Sequence, residues 1–78
     1  MPALTARDTV FDTAALDRCR ARRGIRSRRA LALRAGVDPT NLSRICRGLT
    51  SPSLDTVAKL AAALGVGARL LVHDRSDL

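Results

Sequence analysis

The chain predicts an all-α domain: four helices followed by a short C-terminal segment that reads either as a fifth helix or as a strand. Three observations carry this. Apolar residues recur at spacings of three and four within each helical stretch, a Ser, Asp or Thr stands where each stretch begins, and a glycine stands where each ends. At 78 residues there is room for one domain with a single modest core, so no ligand-sensing domain is expected beside it. Domains of this size are marginal and often gain stability by self-association, which makes a homodimer the expected assembly.

Residues 1–11, with Pro2 and no sustained apolar period, read as a flexible N-terminal arm. Asp12 or Thr13 can cap a first helix that runs to about Arg23, with Leu16 and Cys19 on its inner face and Gly24 as a left-handed stop. Arg18, Arg20, Arg22 and Arg23 fall outside that apolar stripe. Ser27 caps the second helix, whose Leu31, Ala32 and Ala35 share a face. Gly36 lets the chain turn sharply through positive φ, and Val37 folds back as an apolar plug.

Asp38 and Pro39 open the third helix as an acidic cap and a first-turn proline. Leu42 and Ile45 supply its inner face, which leaves Thr40, Asn41, Ser43, Arg44 and Arg47 pointing outward, all able to hydrogen-bond. Gly48 ends this helix. The loop Leu49-Thr50-Ser51-Pro52 leads to a fourth helix capped near Ser53, in which Leu54, Val57, Leu60, Ala61 and Leu64 form the strongest amphipathic pattern in the chain and are expected as core. Gly65 and Gly67 then break the period.

The last segment, ARLLVHDRSDL, admits a short strand at Leu70-Leu71-Val72 or a fifth helix from Gly67 to about Leu71. A lone strand has nothing to pair with in a helical monomer, so as a strand it would meet the same strand of a second subunit in an intermolecular β-ribbon. The expected organisation is therefore an arm at 1–11, a helical domain at 12–66, and a C-terminal dimerisation segment and tail at 67–78. Leu70, Leu71 and Val72 are its dimerisation residues.

The net charge of +7 is unevenly placed. Between Arg18 and Arg47 stand ten arginines, at 18, 20, 22, 23, 26, 28, 29, 34, 44 and 47, against the single acid Asp38. Lys59 is the one lysine, so a preference for arginine accounts for residue type but not for the clustering. An anionic partner is implied, with nucleic acid first. Phe11 is the only aromatic residue, which argues against single-strand binding by base stacking and for duplex DNA.

No apolar run is long enough to cross a bilayer, and residues 1–15 contain acids where a signal peptide needs an apolar core, so a cytoplasmic protein with no membrane contact is expected. Cys19 and Cys46 match no metal-ligand spacing and are expected as free thiols, Cys19 packed inward and Cys46 partly exposed. His73 has no companion ligand or nucleophile nearby in sequence. No enzyme, metal, cofactor or small-molecule ligand is expected.

Residues 27–47 thus read as two short helices joined by a tight Ala-Gly-Val turn and loaded with arginine. That is the outline of a helix-turn-helix, which sets its second helix in the major groove of DNA. The stretch LALRAGVDPTNLSRICRG, followed by PSLDTVAKLAAALGV, resembles the Cro and phage-repressor type of helix-turn-helix, the xenobiotic-response-element (XRE) family, over about residues 13–66. The resemblance implies a compact five-helix, lambda-repressor-like bundle in which residues 39–47 enter the major groove and helix 2 crosses the DNA backbone.

It further implies base contacts from Pro39, Thr40, Asn41 and Arg44. Asn pairs with adenine and Arg with guanine in bidentate fashion. Arg28 stands where the family usually carries a phosphate-gripping glutamine, so Ser27 and Arg28 are expected to hold one phosphate between backbone N–H groups and a cation. Ser43, Arg47, Thr50 and Ser51 are the remaining expected phosphate contacts. In two respects the chain departs from the pattern. The link Gly24-Ile25-Arg26-Ser27 is one residue longer than usual, and Cys46 replaces the acid common before the closing Arg-Gly.

Beyond residue 66, the glycine-flanked ARLLV resembles small members such as Hip-type and Hig-type antitoxins, in which a short C-terminal strand pairs across a dimer. Two functions follow as expectations: a homodimeric repressor bound to a pseudo-palindromic operator, or an antitoxin that captures a toxin or other protein partner and regulates its own operon.

Overall fold

The computed structural model describes residues 9–74. The chain runs through strand β1 (Thr9–Phe11), helices α1 (Thr13–Arg22), α2 (Arg28–Ala35), α3 (Pro39–Cys46) and α4 (Leu54–Leu64), a 3₁₀ turn (Ala68–Leu70) and strand β2 (Val72–Asp74). Each helix starts at the cap that local chemistry favours. Side-chain oxygens of Asp12, Ser27, Asp38 and Ser53 accept from the backbone N–H of Ala15, Ala30, Thr40 and Thr56 respectively, satisfying first-turn donors that have no partner inside the helix.

The turn between α2 and α3 depends on Gly36. Its φ of 73° lies in the left-handed region, and from there the Val37 N–H returns 2.8 Å to the Ala32 carbonyl. Val37 is buried as a result, the apolar plug that fixes the angle between the two helices.

Leu16, Leu31, Leu42, Leu60 and Leu71 are fully buried, one from each of the four helices and one from the segment before β2. Each such leucine contributes on the order of 1.5–3 kcal/mol relative to an exposed one. Ile25, in the α1–α2 link, is buried as well. It is a core residue that helical spacing could not identify because it lies between periods.

Leu54 departs from expectation: it is 61% exposed although it shares the apolar stripe of α4. It occupies the first turn of α4, where the stripe has already run past the end of the core. Val57, Leu60, Ala61 and Leu64 carry the burial instead.

The C-terminal segment has a 3₁₀ turn in place of a fifth α-helix and then a strand, which begins at Val72 rather than spanning Leu70-Leu71-Val72. The partner of that strand is not a second subunit. β2 pairs antiparallel with β1 of its own chain, with Thr9 opposite Asp74, Val10 opposite His73 and Phe11 opposite Val72. The Asp12 N–H extends the ladder by donating to the Leu71 carbonyl at 2.7 Å.

Residues 9–11 are therefore a strand rather than part of a flexible arm, and residues 1–8 and 75–78 lie outside the described residues. Leu71 and Val72 are buried in the chain's own core, so of the three expected dimerisation residues only Leu70 is exposed. The physical reason is supply. Thr9–Phe11 offers backbone donors and acceptors beside Val72–Asp74, and an intramolecular ladder needs no second molecule.

Candidate nucleic-acid interface

α2 and α3 meet across the Gly36 turn, and their N-terminal halves bound an open cleft lined by Arg28, Arg29, Pro39, Thr40 and Ser43. Two guanidinium groups, two hydroxyls and the positive end of α2 make this a place for an anion. Four of the five lining residues are ones the sequence nominates. Arg29 is the fifth.

Along α3, Thr40, Ser43 and Arg44 are exposed, as is Arg47 at its C-cap, while Pro39 and Asn41 are half-buried. Among the described residues, none engages the side chains of Asn41, Ser43, Arg44 or Arg47 in a hydrogen bond or ion pair. Leu42 and Ile45 hold the opposite face of α3 in the core, so this polar face is presented by packing.

Ser27 and Arg28 are both already engaged. The Ser27 hydroxyl accepts the Ala30 N–H at 3.0 Å, so it serves α2 as a cap. Arg28 forms a two-point ion pair with Asp17 of α1, Nε to Oδ1 at 3.1 Å and Nη2 to Oδ2 at 2.7 Å. This contact holds the Asp17 carboxyl below its ordinary range and raises the Arg28 guanidinium above its own. Both groups stay fully charged at neutral pH, and solvent screening limits the pair to about 1 kcal/mol of stability at most.

Thr50 and Ser51 are exposed but stand apart from the Arg28 cleft. They line a second cleft, of mixed polar and apolar surface, with Val10, Phe11, Thr13, Ile45, Cys46, Gly48 and Pro52.

A helix-turn-helix family model matches residues 16–71, from α1 through the 3₁₀ turn to Leu71. The chain belongs to the XRE-type helix-turn-helix family. Among solved structures, one described as a hypothetical transcription factor NHTF from Neisseria is similar at 30% identity, covering 99% of this chain and 91% of that one with a TM-score of 0.69. No curated protein matches the chain. With α2, Gly36 and α3 as its helix-turn-helix, the protein falls in the class of DNA-binding regulators.

In this helix-turn-helix protein the arginines divide by role. Arg20 is a buttress: Nη1 donates to the Ile25 carbonyl at 2.9 Å, and Nε and Nη2 approach Asp17 Oδ1 at 3.4 and 3.3 Å. Arg23 covers the C-terminus of α4, since a Cβ placed on Gly65 would come 3.4 Å from its guanidinium carbon. A cation there faces the negative end of the helix dipole. Arg28 is exposed but paired, while Arg18, Arg22, Arg26, Arg29, Arg34, Arg44 and Arg47 are exposed, as is Arg23.

Sequence reasoning missed Arg29 and Asp17. Arg29 could have been found from its place in the first turn of α2, outside the apolar face. Asp17 carried no local signal, because its partner Arg28 is eleven residues away on another helix.

Cys19 and Cys46 are free thiols, the first buried and the second half-buried, as expected. Burial pushes the Cys46 thiol up, with Arg28 opposing and Asp17 adding to the shift, so it is protonated at neutral pH. Thr13 Oγ1 donates to the Cys46 carbonyl at 3.5 Å, tying the start of α1 to the end of α3. Among the described residues no cluster of His, Cys, Asp or Glu could hold a metal ion, and no helix is long and apolar enough to cross a membrane.

Proposed function

We propose that the protein is a homodimeric transcriptional repressor that binds a pseudo-palindromic operator through α3 in the major groove. The observation that carries this reading is the row of exposed Thr40 and Arg44 with half-buried Asn41 beside the cationic cleft of Arg28 and Arg29. Asn41 reads adenine and Arg44 guanine, each contact contributing about 1–3 kcal/mol of discrimination. Thr40 adds a methyl or hydroxyl contact, and Pro39 packs against the same base step. Phosphates are held by Arg28 with the first-turn N–H groups after Ser27, and by Ser43, Arg47, Thr50 and Ser51.

A single α3 spans only a few base pairs, too little to mark one operator in a genome. Two copies with their α3 helices about 34 Å apart, one turn of DNA, supply the second half-site. Since Leu71 and Val72 are buried within the chain, the contact between copies uses other surface, for which Leu33, Leu49, Leu54 and Leu70 are the exposed large apolar side chains among the described residues. Repression then follows from occupying the site polymerase needs. The antitoxin alternative drew on a C-terminal strand free to pair across a dimer, and β1 already occupies one edge of that strand. The resemblance to a solved structure described as a hypothetical transcription factor supports a role in regulation.

The test is selection of preferred duplexes from random DNA, followed by gel shifts at about 0.2 M salt. A palindromic consensus bound by two copies is expected. No preference over random duplex overturns the reading, and one copy per site overturns the dimer alone.

A further inference from the structure

We infer that Asp17 is a positioning residue that sets the specificity of DNA binding, by holding the Arg28 fork in one orientation and offsetting its charge toward any phosphate not seated in the α2–α3 cleft. The inference rests on the DNA-binding reading above. Its basis is the geometry of one ion pair.

Asp17 engages a single edge of the Arg28 guanidinium, through Nε at 3.1 Å and Nη2 at 2.7 Å. The Nη1 donors and the second Nη2 proton are left uncommitted by this pair, and an arginine bound along one edge can still bind a phosphate along another. The carboxylate is itself fixed. Arg20 approaches Oδ1 at 3.3 Å and anchors to the Ile25 carbonyl at 2.9 Å, so α1, the α1–α2 link and α2 all hold the fork. Arg28 is 43% exposed, and a lone arginine so exposed would sample many rotamers. Here it stands in the wall of the cleft with Arg29, Thr40 and Ser43.

Two effects of Asp17 on DNA binding oppose each other. Its negative charge weakens attraction to every phosphate alike, whereas its grip removes the ordering cost of Arg28 only for a phosphate that fits the cleft. The first lowers affinity for all DNA. The second returns affinity only where α3 is in register. Together they widen the gap between operator and random DNA, which is what a small, strongly basic domain needs if it is not to be titrated by bulk DNA.

The test uses the full chain, a duplex selected from random DNA and a random-sequence duplex of equal length, with wild type, Asp17→Asn, Arg28→Ala and the double variant. Asp17→Asn is expected to bind random duplex about twofold to fivefold more tightly, with a salt slope steeper by up to about one unit. Its ratio of selected to random affinity falls roughly threefold to tenfold. In the Arg28→Ala background the same change leaves the ratio within about twofold, because the two residues act as a pair.

An unchanged ratio for Asp17→Asn overturns the inference while leaving the DNA-binding reading intact. So does an equal loss on both duplexes, the mark of a residue that only supports folding, and so does a fall of the same size without Arg28. A wild type with no preference at all overturns both. If Asp17→Asn does not fold, Arg28→Lys serves, since lysine keeps the charge but lacks the fork. The ratio should again fall roughly threefold to tenfold, and a retained ratio overturns the inference.

Discussion

Asp12 accepts the Ala15 N–H at 2.9 Å, lies 2.8 Å from His73 Nε2 and donates its own N–H to Leu71 at 2.7 Å, so one residue joins the cap of α1 to the C-terminal strand. The cap bond and then the His73 contact hold its carboxyl below the ordinary value of 3.8. A carboxyl lowered by folding contributes stability that is present above its unfolded pKa and lost as pH falls through the folded one. Asp12→Asn keeps a capping acceptor but not the charge. Its thermal midpoint should therefore fall less steeply than that of wild type below about pH 4, and parallel curves would contradict the assignment. At the proposed DNA face the roles also separate by residue. Arg44→Ala is expected to relax the preference at one base position and cost about 1–3 kcal/mol on the selected duplex. Arg28→Ala should weaken selected and random duplexes and reduce the salt slope by about one unit. Identical effects of both substitutions on every sequence would remove the distinction between reader and phosphate grip.

At the scale of elements, the α2–α3 turn and the β1–β2 pair differ in what specifies them. The turn is local: Gly36 takes positive φ in a place where an added Cβ would meet nothing within 4 Å, so only backbone conformation opposes a side chain there. Gly36→Ala should cost about 1–2 kcal/mol, visible as a lower midpoint in urea, and a neutral result would mean the turn can relax without strain. The strand pair is not local. Leu71 is fully buried in the core, and Leu71→Ala should cost about 2–5 kcal/mol. Because that burial is within one chain, the loss in melting temperature should be the same at low and high protein concentration. A loss that grows on dilution would return Leu71 to a subunit interface.

For the whole molecule, the positive charge is large but its useful part is smaller than the formal value. Arg20 is committed to a carbonyl and a carboxylate, Arg23 lies exposed against a helix end and Arg28 is partly offset by its Asp17 partner, while Arg44, Arg47 and Arg29 remain on the side where α2 and α3 present their polar faces. The salt dependence of DNA affinity should accordingly reflect fewer phosphates than the ten clustered arginines suggest, and a slope near −9, the full count, would contradict this partition. The caps at Asp12, Ser27, Asp38 and Ser53, the helices they start, the glycine turn and the outward row of α3 were all legible in the chain, because each depends on residues within about one or two helical turns of one another. Ile25 in the core, Leu54 outside it, the pairing of Asp17 with Arg28 and the closure of β2 onto β1 were not, because each is set by which surfaces meet after the helices pack. Sequence by itself determined the helices and the polar face of α3 that is proposed to meet DNA. Only the tertiary structure decided which arginines are free to use it, and that the last strand completes its own chain's core, since electrostatic pairing and strand pairing act across space and leave no period to read along the chain.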